Sequence, residues 1–193
     1  MQKKLILSAV LGGLLLFVWG FISHGVLTWY ESQLRTFTNQ DQVQEAIVAG
    51  VSGSGLYYLP NLRPEERSLA GEERAAAEAA LGERWLRGPV AVTFVRIGPG
   101  ASYTTRLVIQ FIIGALASLV AAWLLLQAGI ASYGGRVAFV IGLAVVAIIW
   151  AKLPGWNWYE VPTMWTLVEA VDSIIAFTLL GALLGRIVRP AAA

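Results

Sequence analysis

Four apolar stretches constrain this chain more than any other feature: residues 5–29, 107–127, 137–150 and 165–188. At ~1.5 Å per residue, helices of about 20 residues cross the ~30 Å hydrocarbon core of a bilayer, a length the third stretch barely approaches. Only 13% of the residues are charged, about half the ~25% usual in soluble domains. The expected fold is all-α and integral to a membrane: a four-transmembrane-helix bundle with a small α/β exoplasmic insert between its first and second helices. Residues 1–30 would form the first helix, 31–105 the insert, and 106–193 the other three helices with a Trp-rich outer loop at 151–164.

Several function classes fall away at once. The net charge of +2 comes from dispersed lysines and arginines, so no polyanion groove and no nucleic-acid partner is expected. The absence of cysteine removes disulfides, thiolate metal sites and thiol redox chemistry. A single histidine rules out bis-His haem ligation within the chain. No nucleophile elbow or H-E-x-x-H motif occurs, so no catalytic residue, no enzymatic activity and no cofactor is expected. The first apolar run exceeds the ~7–15 residues of a signal-peptide core, and Ser23-His24-Gly25 is a poor cleavage site, which points to a retained helix.

Charge bias sets an orientation. Lys3, Lys4, Arg136, Arg186 and Arg189 flank the apolar stretches with no acid beside them. The positive-inside rule then puts both termini in the cytoplasm of a bacterial inner membrane and the insert outside. Trp29, Tyr30, Trp150 and Trp165 would form an aromatic belt at the outer interface.

Within the insert, Thr38 or Asn39 can cap a helix reaching Ala49. Residues 56–59 read as a strand stopped by Pro60. Arg63-Pro64-Glu65-Glu66 reads as the start of a helix that continues, with Gly71 as a point of interruption, through Leu81 and Trp85 to a last turn with Arg84 and Arg87, and stops at Gly88-Pro89. The β-branched run 90–97 reads as a second strand. Glutamates 65, 66, 72, 73 and 83 alternate with arginines 67, 74, 84 and 87, the pattern of a solvated, ion-paired face. Small-residue stripes supply helix contacts: Gly13 and Gly20 with His24, then Gly114, Ser118 and Ala122 with Gln110, then Ala138 and Gly142, then Gly181 and Gly185.

The best lead is a pair of acids inside the last apolar stretch. Glu169 and Asp172 lie three residues apart on one helix face, where an unpaired carboxylate costs at least ~2.5 kcal/mol. Counted from the aromatic ends, His24 and Gln110 fall in the same outer layer, with Lys152 just above. This polar cluster has three readings: a salt-bridged clamp with Lys152, Arg106 or His24, a proton or cation site, or a sparse metal site whose ion stays unassigned. Trp156, Trp158 and Tyr159 form a candidate partner-binding surface. The functional expectation is a non-catalytic accessory or scaffolding subunit that docks other membrane-protein subunits, or a second copy of itself. The alternative is a small proton- or cation-coupled transporter or channel that uses Glu169 and Asp172.

Overall fold

A computed structural model describes residues 2–189. In chain order the elements are α1 (Gln2–Phe21), α2 (Gln40–Gly50), β1 (Gly55–Leu59), α3 (Gly71–Arg87), β2 (Ala91–Val95), α4 (Tyr103–Ala128), α5 (Tyr133–Ala147), α6 (Leu153–Trp158) and α7 (Thr163–Ile187). They divide into a helical unit (2–35, 101–157 and 161–189) and a smaller α/β unit (36–100 with 158–160).

The helical unit contains four helices long and apolar enough to cross a membrane: Gln2–Val26, Tyr103–Ala128, Tyr133–Trp158 and Thr163–Ile187. Two of them pass through a π-helical turn, at Ile22–Val26 and at Ile148–Lys152. The second turn corrects the sequence-based boundary. The third apolar helix does not stop at Trp150; it continues through α6, so much of the expected outer loop 151–164 is helical. Pro154 follows closely on this π turn, where the hydrogen-bond pattern of the helix already changes, and the chain remains helical past it. Ser102 and Ser132 cap α4 and α5 by accepting the Thr105 and Gly135 amides, each at 3.1 Å. Gly129 ends α4 in the left-handed region at φ 59°, where a Cβ would be strained.

Close packing runs along α1 with α4 and along α5 with α7, and α1 also lies against α7. Small residues make this possible. Gly114, Ser118 and Ala122 are buried as their spacing predicts. On α1 the buried glycines are Gly12 and Gly13. A Cβ at Gly13 would come within 2.9 Å of the Ala115 backbone, whereas one at Gly20 would meet nothing. Gly181 does approach α5, its Cβ position lying 3.1 Å from the Val137 carbonyl oxygen. On α5 the expected stripe of Ala138 and Gly142 is exposed; the buried row is Arg136, Val140 and Ala144. The apolar centre joins Ala121, Ala122, Leu125, Val140, Leu180 and Leu184, while Ile109, Ile112, Ile113, Leu116 and Val120 point outward.

In the α/β unit, β1 and β2 pair antiparallel, with Leu56 opposite Phe94 and Tyr58 opposite Val92. The helix expected from Arg63 is reduced to a single 3-10 turn at Glu66–Ser68, and α3 begins only at Gly71. Leu69 is extended (ψ 153°) and Gly71 has a positive φ, so the helix is interrupted between the two. Glu66 folds back to accept the Arg63 amide at 2.7 Å. That amide, and after it the Arg84 guanidinium, holds the Glu66 carboxyl below its usual range. Ion pairs Arg74–Glu78, Arg84–Glu66 and Arg87–Glu83 decorate this unit, as a solvated face requires.

Candidate functional site

Asp172 lies at the centre of a polar layer between α1 and α7. Its Oδ1 accepts hydrogen bonds from Trp19 Nε1 at 2.7 Å and Ser23 Oγ at 2.8 Å. Its Oδ2 accepts from the Tyr30 hydroxyl at 3.0 Å. Trp19 and Ser23 are four residues apart, so α1 and its π turn present both donors on one face. The Ser23 carbonyl in turn accepts from Trp29 Nε1 at 2.8 Å. Trp19, Tyr30 and Trp29 then meet edge to face, and Tyr30 also meets Trp165 this way at 5.4 Å between centroids. Of the residues expected as a simple belt, Tyr30 thus bonds the carboxylate while Trp29 and Trp165 meet the Tyr30 ring; Trp150 remains exposed.

Glu169 makes a separate contact. Its Oε1 accepts from Lys152 Nζ at 2.6 Å. Lys152 comes from the second π turn, so each acid of α7 is met by a residue from such a turn. Arg106 takes no part; its Nε donates to the Ala101 carbonyl.

His24 makes no hydrogen bond or ion pair with either acid. Its ring stacks on Tyr30 at 4.1 Å, and Nδ1 lies 3.2 Å from the Gly20 carbonyl oxygen, which can only accept and so places a proton on that nitrogen. Gln110 and His24 instead line a cleft of about 360 Å³ with Phe17, Phe21, Tyr103 and Leu107. The four residues of the sequence-based cluster are therefore distributed over three arrangements: a capped Asp172, a Glu169–Lys152 pair and the His24–Gln110 cleft. Among the described residues, no three His, Asp or Glu side chains gather as metal ligands.

Of the candidate partner residues, Trp156 donates from Nε1 to Thr163 Oγ1 at 3.1 Å within the helical unit. In the α/β unit, Tyr58 donates to the Trp158 carbonyl and meets the Tyr159 ring edge to face. The Trp158 side chain is 71% exposed.

Sequence reasoning missed Trp19, Ser23 and Tyr30 as partners of Asp172. A polar residue and a Trp at i and i+4 near the end of an apolar helix were the available signal. It also missed Arg136, only 6% exposed, which donates to the carbonyls of Gly185, Ile130 and Ala131. What the polar layer does chemically is engage one carboxylate with neutral donors and pair a second with an ammonium. No protein family, curated protein or solved structure matches the chain.

Proposed function

We propose that the chain is a non-catalytic accessory or scaffolding subunit of a bacterial inner membrane, with both termini in the cytoplasm, that docks another membrane-protein subunit through its outer α/β unit and Trp-rich segment. The observation that carries this reading is the closure of Asp172. Both its oxygens are engaged by donors from α1 and its flank, so the acid ties two helices together. The membrane setting is supported by the inverted character of the helical unit, with small residues inside and large apolar ones outward. Water does not tolerate apolar faces of that extent.

Docking through the α/β unit is supported by its unfinished surface. Leu56 and Phe94 oppose each other across the two strands, yet are 59% and 86% exposed, and Leu86 is 92% exposed. A two-stranded sheet is marginal alone and gains from a partner that covers it. A photo-crosslinker at Phe94 tests this in intact cells. Adducts of defined mass from position 94, absent from a control at Asp41, are expected. A monodisperse monomer with no adduct at 94 overturns the reading, and an adduct at twice the chain mass identifies the partner as a second copy.

The transporter alternative requires Asp172 or Glu169 to open onto water, and the cleft beside His24 and Gln110 includes neither. Proton flux into liposomes that is lost in Asp172→Asn would favour it over the scaffold.

A further inference from the structure

At the opposite end of the helical unit, cations gather without acids. Arg136, Arg186 and Arg189 line a cavity of about 520 Å³ with Tyr133 and Ala131. Arg136 is the built part of this site. Its Nε donates to the Gly185 carbonyl at 2.9 Å, and one terminal nitrogen donates to the Ile130 and Ala131 carbonyls. Three backbone acceptors thus fix the guanidinium plane. The other terminal nitrogen, Nη2, has no hydrogen-bond partner among the described residues, and Arg136 is one of the residues lining the cavity.

No carboxylate side chain balances these charges. The sequence has no Asp or Glu between Glu83 and Glu160, none after Asp172 and none before Glu31. Lys4, whose Nζ donates to the Arg189 carbonyl at 2.9 Å, adds a fourth cation at the same end. An oriented arginine with two exposed ones beside it matches the oxygens of a phosphate group.

We propose that this cavity binds the phosphate of an anionic phospholipid. The inference rests on the four long helices spanning a bilayer and is independent of any docking partner. The lipid is favoured as the source because the arginines sit where apolar helices end: Arg136 is in the first turn of α5 and Arg186 in the last turn of α7. That is the headgroup level, where basic pockets between helices take anionic headgroups.

The test uses the full chain in neutral detergent micelles, titrated with phosphatidylglycerol, phosphatidylcholine or sodium phosphate and monitored by thermal melting and native mass spectrometry. Phosphatidylglycerol should raise the melting temperature and remain bound, and phosphatidylcholine should do neither. Arg136→Gln is set aside because the side chain also holds three carbonyls. The double variant R186Q/R189Q should melt like the wild type without lipid, and should bind phosphatidylglycerol about 25-fold more weakly, since two interfacial arginines contribute about fivefold each. R74Q/R87Q, which removes the same charge from the α/β unit, should respond as the wild type does. Equal responses to both lipids, an intact response in R186Q/R189Q, or an equal loss in R74Q/R87Q overturns the site. Protection by millimolar phosphate that matches phosphatidylglycerol and is lost in R186Q/R189Q overturns the lipid as its source.

Discussion

Removing Asp172 and removing Glu169 should have different costs, although both sit on the same face of α7. Asp172→Leu leaves Trp19, Ser23 and Tyr30 without their acceptor. At about 1–2 kcal/mol per orphaned donor, the expected loss is roughly 3–6 kcal/mol. Glu169→Leu frees Lys152, which is 38% exposed and can turn to water, so about 1 kcal/mol is expected. Thermal melting of the two variants in one detergent checks this, and an Asp172→Leu protein that melts with the wild type would show that the three donors find water. Ser8 provides the converse case. Its buried hydroxyl has no hydrogen-bond partner among the described residues, so Ser8→Ala should leave melting unchanged or raise it slightly. The two acids were legible in the sequence because carboxylates are rare inside apolar helices. Their partners were less so. Lys152 was within reach by counting, but Tyr30 read as a belt residue and Trp19 carried no assigned role until α1 is known to lie against α7.

The elements owe their packing to a few close approaches, and their irregularities deliver the polar contacts. Gly13→Ala sets a methyl group against the Ala115 backbone at 2.9 Å, which cannot yield as a side-chain tip would. A loss of about 1–3 kcal/mol is expected from forcing α1 off α4. Gly20→Ala meets nothing and should be neutral or stabilising by up to about 1 kcal/mol through helix propensity. Reversible unfolding of the pair in mixed micelles separates these outcomes, and equal effects would mean that the α1–α4 contact is looser than described. The stripe of Gly114, Ser118 and Ala122 was legible because four-residue spacing in a straight helix keeps one face. Choosing Gly20 over Gly12, and Gly142 over Val140, failed because small residues permit contact without specifying which neighbour arrives. The two π turns left no signal that spacing rules detect. A π turn inserts a residue and rotates the side chains beyond it about the helix axis; Ser23 and Lys152, which meet Asp172 and Glu169, both come from these turns.

For the whole molecule, the four long helices and the paired strands were legible from hydropathy and β-branching, whereas the extent of the third helix was not, since Pro154-Gly155 reads as a stop. The proposed orientation has a direct check, because the chain has no cysteine and any introduced thiol is unique. A membrane-impermeant maleimide should label Glu72→Cys in intact cells and Gly134→Cys only after permeabilisation. Equal labelling would mean that the charge bias misleads. The link from Trp19 to Asp172 also bears on how the molecule is made. Its ends are 153 residues apart, and at ~5–20 residues per second α7 emerges roughly 8–30 seconds after α1. During that interval α1 can settle on α4, but its indole, serine and tyrosine donors wait for a carboxylate not yet synthesised. A chain that stalls before α7 therefore carries an unsatisfied polar face on α1 and its flank, which only the arrival of α7 can satisfy.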